Sequence, residues 1–157
     1  MNIDQLFKKA SEKGISDIQV YLSDKTNLSI EIFEGEVDSY VIADTSSMVI
    51  RGIYNQKMGT YVTEVLDDSI IDEVVDTIIA SAKEIDSLDD AIIYEGDKEY
   101  RKLDDIYNEA LTSLDVQIKI RTLKEMDKYL HDYDPRMSVV ETMFSESTNK
   151  MILKNSK

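Results

Sequence analysis

Residues 36–64 read EVDSYVIADTSSMVIRGIYNQKMGTYVTE, and this stretch decides the fold class. Apolar and polar residues alternate through most of it, which is the pattern of β-strands that bury one face. Two short polar breaks, DTSS at 44–47 and NQK at 55–57, separate the runs. Connections this short favour antiparallel hairpins, because parallel strands need a crossover of about a dozen residues or more. The stretch therefore predicts an antiparallel meander.

The same alternation continues upstream and predicts two further strands. Their apolar residues are Ile18, Val20 and Leu22 in the first, and Leu28, Ile30 and Ile32 in the second. The links DKTN at 24–27 and EGE at 34–36 are again short, so the meander is predicted to hold five consecutive strands. Gly52 and Gly59 weaken strand propensity, and each predicts a bulge or a close backbone approach.

Helical periodicity appears on both sides of the predicted sheet. A short first helix is predicted from Ile3, Leu6, Phe7 and Ala10. Asn2 and Gln5 resemble a capping box that starts it, and Gly14 is placed to end it. The strongest pattern follows the sheet and is predicted to start at Ser69 with Asp72 three residues on. Its apolar residues are Ile70, Ile71, Val74, Val75, Ile78, Ile79 and Ala82.

The remainder of the chain predicts a connection, a long helix and a return to strands. Residues 86–112 are acidic and turn-prone, with a short helix predicted around Asp104–Ala110. Ser113 is predicted to cap the last helix, which ends before Pro135. One face of that helix carries Val116, Ile120, Leu123, Met126 and Leu130. The runs VVETMF and KMIL then have strand character.

Together these elements predict one α+β domain over residues 1–157, with an antiparallel meander sheet of about five or more strands packed against two to three helices. A chain of this length and 42% hydrophobic content can bury a core. The formal charge of −14 disfavours generic binding to nucleic acid or anionic lipid. Absence of cysteine excludes disulfides and thiolate chemistry, and with no signal-peptide pattern we predict a cytoplasmic protein.

The candidate chemical groups all have ordinary structural interpretations. His131 is the only histidine, and beside Asp132 and Asp134 at a helix end it is predicted to interact with the helix dipole or an ion pair. Four acids on or beside neighbouring strands are predicted to be solvent-exposed: Glu31, Glu34, Glu36 and Asp38. Four more crowd the start of the second helix, where its dipole favours them: Asp67, Asp68, Asp72 and Glu73. We predict no catalytic, cofactor-binding or metal-binding residue in this chain.

Methionines and tyrosines are further candidates for a binding surface. The methionines in apolar patterns are predicted to fill core gaps: Met48, Met126, Met137, Met143 and Met151. Tyr40, Tyr54 and Tyr61 lie in the meander and could supply an amphipathic contact surface, although strand propensity accounts for them as well. Nucleotide binding has no support, because neither G-x-G-x-x-G nor G-x-x-x-x-G-K-[ST] occurs.

An ordered set of motifs resembles the N-terminal domain of the TldD/PmbA family, also called modulators of DNA gyrase. The segments DIQVYLS, IEIFEGEVDSY, the Gly52 strand, QKMGTYVTEVLDDS and the helix from about Ser69 follow the family's order of strands, glycine turns and helix start. Later, LDDIYNEAL and DYDPRMSVVETMFSESTNKMILKNSK resemble the family's "D-P-R-I … V-E … S-E … N-S" segment. The later segment leans toward the PmbA (TldE) branch.

The resemblance implies a cytoplasmic peptidase system in which TldD and PmbA subunits pair and process peptides. It implies an H-E-x-x-x-H metal site in TldD, so that zinc would lie in a missing C-terminal part or in a partner subunit. No such motif occurs here, and no metal-binding residue can be carried over. Family members are longer, so the chain is expected to be an N-terminal fragment. Its expected role is scaffold, chamber wall and contact in a homo- or hetero-oligomer.

Two alternatives from other classes remain open. A free-standing, metal-independent hydrolase would need catalytic carboxylates such as Glu34 and Glu36. An acidic DNA mimic that binds gyrase directly would use the charge of −14. The substrate and the oligomeric state are not predicted.

Overall fold

The structure of the chain, a computed structural model, describes residues 1–104, 106–134, 136–137 and 141–157. It is an α+β fold with an antiparallel sheet, as predicted. The strands are β1 (Asp17–Phe33), β2 (Glu36–Tyr54), β3 (Lys57–Thr63) and β4 (Glu141–Asn155). The helices are α1 (Ile3–Glu12), α2 (Ile71–Lys83), α3 (Glu109–Thr112) and α4 (Val116–Tyr133), with a 3-10 turn at Asp68–Ile70.

Over the described residues the sheet has four strands in the order β3-β2-β1-β4, so the predicted count of about five or more was slightly too high. The DKTN and DTSS segments are not turns but the middles of the long strands β1 and β2. Their polar side chains bond across the sheet: the Thr26 hydroxyl donates to Asp44 at 2.6 Å, and the Ser46 hydroxyl donates to Asp24 at 2.7 Å. Polar residues that satisfy one another in this way need no chain reversal.

The two true hairpin turns are those predicted at EGE and NQK. Glu34 and Gly35 join β1 to β2 with φ of 50° and 78°. Asn55 and Gln56 join β2 to β3 with φ of 49° and 65°. Two consecutive left-handed residues are the signature of type I′ turns, whose twist matches that of the flanking strands.

The chain divides into two compact units. Unit 1 comprises Met1–Asp24, Thr45–Tyr100 and Lys150–Lys157, and unit 2 comprises Lys25–Asp44 and Arg101–Asn149. The buried core of unit 1 is drawn from α1, α2, β1 and β2. It consists of Leu6, Ala10, Ile15, Ile18, Val20, Met48, Ile50, Ile71, Val74, Val75 and Ile78.

Helix α1 begins and ends as predicted. The Asn2 side chain accepts a hydrogen bond from the Gln5 backbone N–H, and Gly14 follows the helix with φ of 88°. Three ion pairs join α1 and its C-cap residue to α2: Lys9 lies 2.7 Å from Asp72, and Lys13 lies 3.4 Å from Asp72 and 2.7 Å from Asp76. Polar contacts thus support the apolar packing between the two helices.

A pair of glycines lets α2 approach the sheet. Gly52 and Gly59 lie opposite each other in the β2–β3 ladder. A Cβ on Gly59 would lie 1.9 Å from the Ile78 carbonyl oxygen, and one on Gly52 would lie 2.8 Å from Ile78 Cγ2. Of the two predicted alternatives, a bulge or a close backbone approach, the close approach is found at Gly59, where the backbone of α2 is the partner; at Gly52 the close neighbours are the side chains of Ile78 and Ile15.

Helix α2 begins differently from the prediction. The Asp67 carboxylate, not Ser69, caps the 3-10 turn and accepts from the Ser69 backbone N–H at 2.8 Å. A carboxylate is the stronger acceptor for exposed backbone donors. The Ser69 hydroxyl and then the Ser69 backbone N–H lower the pKa of Asp67, because hydrogen bonds to a carboxylate favour its charged form.

Unit 2 has a smaller apolar core. Its buried residues are Ile30, Ile32 and Leu123, with Leu28, Val116, Ile120 and Phe144 packed around them. Asp115, rather than Ser113, caps α4 by accepting from the Gln117 backbone N–H. Ser113 instead follows the short helix α3, which starts later than the predicted Asp104–Ala110 helix. The predictions at Pro135, Val139 and Val140 lie outside the described residues.

The methionine prediction holds at one position and fails at four. Met48 is buried, whereas Met126, Met137, Met143 and Met151 are 40 to 59% exposed. The failure on β4 arises because KMIL and the preceding segment form one long strand with mostly exposed residues. Among the helices of the described residues, none combines the length and hydropathy that crossing a bilayer needs.

Candidate functional site

A cleft of about 560 Å³ lies in unit 2, between the β1–β2 turn and the C-terminal half of α4. The type I′ turn presents Glu34 and Gly35, and the other lining residues follow the helical spacing i, i+3, i+4 and i+7. The cleft is lined by Glu34, Gly35, Lys124, Asp127, Lys128 and His131. Carboxylate, ammonium and imidazole groups thus meet on one concave surface.

Asp127 is the unusual member of this cleft. It is only 2% exposed, and its Oδ1 atom has no hydrogen-bond partner among the described residues. Its other oxygen, Oδ2, lies 3.6 Å from His131 Nδ1, which is also 3.0 Å from the Asp127 carbonyl oxygen. A buried carboxylate with a free oxygen is costly, and such groups are uncommon in folded proteins.

His131 has an acidic neighbour, as predicted, but a different one. It lies in the last turn of α4, where the helix dipole favours a cation, and its contact is Asp127. Asp132 pairs with Lys128, and Asp134 pairs with Arg136. The Arg136 guanidinium lowers the pKa of Asp134. The i, i+4 spacing of Asp127 and His131 was the available sequence signal, and the burial of Asp127 could not be inferred from it.

The lysines of the cleft are already paired with acids outside its lining. Lys124 Nζ lies 2.8 Å from Glu36 Oε2, and this ammonium lowers the pKa of Glu36. Lys128 pairs with Asp132 along the helix. Of the four strand acids considered in the sequence, only Glu34 lines the cleft, while Glu31 and Asp38 lie elsewhere on β1 and β2.

Acidic residues at the start of α2 contact other side chains of unit 1. Asp72 contacts Lys9 and Lys13, and the Lys9 ammonium lowers its pKa. Glu73 accepts from the Tyr61 hydroxyl at 2.9 Å, which raises the pKa of Tyr61. No three His, Cys, Asp or Glu side chains in the described ranges are grouped closely enough to hold a metal ion. The donor set of these residues therefore does not fit a metallopeptidase centre.

A second concavity of about 330 Å³ lies on the sheet in unit 1 and is lined by Gln19, Tyr21, Val49 and Arg51. The Tyr21 hydroxyl donates to Met151 Sδ at 2.7 Å. This groove has one charged residue and no cluster of groups suited to catalysis. Of the other tyrosines considered in the sequence, Tyr54 lies beneath the Lys83 ammonium at 5.6 Å, and Tyr40 is 45% exposed.

An exposed apolar surface lies on β2 within unit 2. Strand β3 pairs with residues 48–54 of β2 only, so residues 36–47 extend beyond it. We call the exposed apolar residues of this extension the β2 apolar edge: Val37, Tyr40, Val41 and Ile42. In the described sheet, no strand pairs with this part of β2 on the side where β3 would continue. Such an edge offers unpaired backbone groups together with apolar side chains.

Comparison with known proteins gives the same family as the sequence motifs. Residues 18–85 match the family described as PmbA/TldA metallopeptidase domain 1. This span covers β1, β2, β3 and α2 and includes the paired glycines under α2. No curated protein matches the chain in sequence.

Solved structures share the fold. A proposed modulator of a DNA gyrase from Thermotoga maritima superposes with a TM-score of 0.82 at 23% identity, covering 98% of this chain and 34% of that one. TldE from Thermococcus kodakarensis gives 0.79 at 16% identity, with 98% and 34% covered. A proposed modulator of DNA gyrase from Bacteroides thetaiotaomicron gives 0.79 at 19%, with 98% and 35% covered. The chain thus spans about a third of each of these proteins. The match of residues 18–85 to the first domain of the PmbA/TldD family supports the resemblance identified in the sequence.

Proposed function

We propose that this chain is a non-catalytic domain of a TldD/PmbA-type peptidase assembly, where it serves as scaffold, as wall of a peptide chamber and as subunit contact. The observation that carries the proposal is the β2 apolar edge. Its four side chains are between 39 and 56% exposed, on the part of β2 (residues 36–47) that extends beyond β3 in the described sheet. Val37 and Val41 lie on one face of the strand and Tyr40 and Ile42 on the other. Exposed apolar side chains beside unpaired strand backbone are typical of an interface.

The internal pairing of candidate catalytic groups supports a non-catalytic role. Glu36 is engaged by Lys124, and Asp72 by Lys9 and Lys13. A general acid or base must be able to reach a substrate, and a carboxylate held by an ammonium is less available for that role. In this proposal the metal and its ligands come from another region of the parent protein or from a partner subunit.

The remaining parts of the proposal concern the parent protein. The chain covers about a third of the three similar structures, which supports its being an N-terminal domain of a longer polypeptide. We assign it to the PmbA (TldE) branch on the DYDPR and ETMFSES segments. An H-E-x-x-x-H motif found in the rest of the parent protein would move it to the TldD branch. The cytoplasmic location stays a prediction from the sequence.

Sedimentation analysis of the purified chain, alone and mixed with a TldD-type subunit from the same genome, tests the contact role. We expect association that is abolished by Val41→Lys, because a charge would then be buried at the contact. The control is Val62→Lys, which places the same charge on an exposed valine of β3 outside the β2 apolar edge. Equal association of both variants would contradict the assigned surface.

Activity measurements test the non-catalytic role. We expect the purified chain not to hydrolyse a mixed peptide library with or without added zinc. Hydrolysis that survives chelation and disappears in Glu34→Gln or Glu36→Gln would instead establish a metal-independent hydrolase. Salt-sensitive binding of the chain to purified gyrase would establish the acidic-modulator alternative.

A further inference from the structure

The unpaired oxygen of Asp127 is a feature that the proposed scaffold role does not explain, and it points to a bound ligand. Asp127 lines the cleft between the β1–β2 turn and α4, yet its Oδ1 atom is shielded from solvent and accepts no hydrogen bond from the described residues. The cost of leaving a buried acceptor unpaired is larger for a charged group than for a neutral one. A donor in the cleft would remove that cost by displacing the atoms that shield Oδ1 from solvent.

The charges around the cleft favour a cationic donor. The two lining ammonium groups, Lys124 and Lys128, are engaged by Glu36 and Asp132. Glu34 and Asp127 are then the lining carboxylates for which the described residues provide no lysine or arginine contact, since the neighbour of Asp127 is His131. Counting the two partners of the lysines, four carboxylates face two ammonium groups. The local field therefore repels anions and attracts cations.

We propose that this cleft binds a primary alkylammonium or a guanidinium group, whose N–H donates to Asp127 Oδ1 while Glu34 contributes a second negative charge at the rim. Charge-assisted N–H to carboxylate bonds are among the stronger protein hydrogen bonds. A cleft of about 560 Å³ lies within the size range of small-ligand sites and holds an amino-acid side chain or a short polyamine. The inference is independent of whether the β2 apolar edge binds a subunit.

A bare metal ion fits the site less well than an organic cation. Divalent ions need several oxygen or nitrogen ligands that converge. The described residues place no three such side chains together, and one oxygen of Asp127 already faces the His131 ring. A single buried acceptor with a carboxylate at the rim instead suits one N–H donor on a flexible stem.

Titration of the ¹⁵N-labelled chain, followed by amide chemical shifts, tests the proposal. The probes are Nα-acetyl-arginine amide, Nα-acetyl-lysine amide, spermidine, and the neutral isostere Nα-acetyl-citrulline amide. We expect saturable shifts at residues 34–35 and 124–131 with cationic probes, and none with citrulline. Preference for the amino-acid amides would identify a peptide side chain as the source of the cation, and preference for spermidine a free polyamine. Equal binding of the citrulline probe, or no binding of any probe, would overturn the proposal.

Variants separate a ligand site from a structural carboxylate. Asp127→Asn keeps the shape of the side chain and removes the charge, so we expect at least about tenfold weaker binding of the cationic probes. Glu34→Gln lies on an exposed turn, tests the site even if Asp127→Asn does not fold, and is expected to weaken binding about threefold. Glu125→Gln, an exposed acid of α4 outside the cleft lining, is the matched control and is expected to bind as the wild type does. The assigned site would be refuted if Glu34→Gln bound the probes as the wild type does while Asp127→Asn either bound them equally or did not fold. It would also be refuted by a high-resolution structure, determined with probe present, in which only an ordered water reaches Oδ1.

Discussion

The two compact units stabilise themselves by different means. Unit 1 buries eleven apolar residues in one cluster and lets α2 touch the sheet backbone at Gly52 and Gly59. Among its described residues, unit 2 buries three apolar residues in its cluster, and it also buries Lys119, Asp127 and Thr142. Close packing against many apolar neighbours is the main source of stability in small domains.

We infer from this difference that unit 1 mainly stabilises the fold, whereas unit 2 carries the candidate binding surfaces. Unit 1 places ion pairs such as Lys9–Asp72 at its surface, and the residues of its buried cluster are apolar. Unit 2 keeps charged groups inside and leaves the β2 apolar edge outside. Proteins tolerate such departures from ordinary burial mainly where binding requires them. The candidate ligand cleft and the candidate subunit contact accordingly both lie in unit 2.

The largest effect is expected from the glycine pair. Gly59→Ala should destabilise the chain by about 3 kcal/mol or more, because the new methyl group would overlap the Ile78 carbonyl and force α2 from the sheet. The control is Gly35→Ala in the β1–β2 turn, where no atom lies within 4 Å of the added Cβ. There only the left-handed backbone contributes, at a cost of about 1 kcal/mol. Urea unfolding measures both, and equal losses would contradict the close-packing account.

The buried ion pair of unit 2 should give the next effect. Lys119 Nζ lies 2.6 Å from Glu146 Oε2, with both side chains mostly buried, and 5.4 Å from the Phe144 ring centroid. Lys119→Met leaves Glu146 without its cation and is expected to cost about 3 kcal/mol. The double variant Lys119→Met/Glu146→Leu should recover most of that loss, because neither charge is then buried. A double variant less stable than the single one in thermal unfolding would argue against this view.

A smaller effect of opposite sign is expected at Asp127. Asp127→Asn should raise the free energy of unfolding by about 1 kcal/mol, because a buried charge with an unpaired oxygen is replaced by a neutral amide. The same substitution is expected to weaken cation binding in the cleft, so stability and binding would change in opposite directions. Loss of both together would indicate that Asp127 is a structural residue of α4.

The smallest effect concerns the exposed pairs of unit 1. The Lys9 ammonium lowers the pKa of Asp72 below its ordinary value of 3.8, so the pair stabilises the fold at neutral pH and loses its effect as the pH falls through the lowered value. Asp72→Asn should be slightly less stable than the wild type near neutral pH and equal to it in acid. Glu125→Gln, which lacks this contact, should show no such convergence when unfolding midpoints are compared across pH.

Much of the fold could be predicted from short sequence patterns, because helix caps and tight turns depend on interactions between residues that are close in sequence. The Asn2 cap, the Gly14 stop and the hairpin links at EGE and NQK depend on a few adjacent residues, and each was predicted, although the turn type was not. The predicted strand count was slightly too high because the polar runs DKTN and DTSS have the composition of turns. Their cross-strand bonds, such as Thr26 to Asp44, join residues far enough apart that periodicity cannot reveal them.

The candidate site was harder to predict than the fold. The sequence directed attention to His131, but its neighbours in the sequence, Asp132 and Asp134, are not its contacts in space. Asp127 was overlooked because burial of a carboxylate depends on tertiary packing, whereas an acid on a helix is usually exposed. Exposed methionines on α4 and β4 were misassigned for the same reason.

The last strand closes against the first. The Ser156 backbone N–H donates to the Ile18 carbonyl, and the Ile18 N–H donates to the Ser156 hydroxyl, across a separation of 138 residues. Closing so long a loop carries an entropic cost that nearby pairings do not have. During synthesis the β1–β2–β3 hairpins can assemble early, while β1 waits for its other neighbour until residue 156 has left the ribosome. Until then the edge of β1 that pairs with β4 lacks its partner, and an unpaired strand edge is a place where another chain can pair.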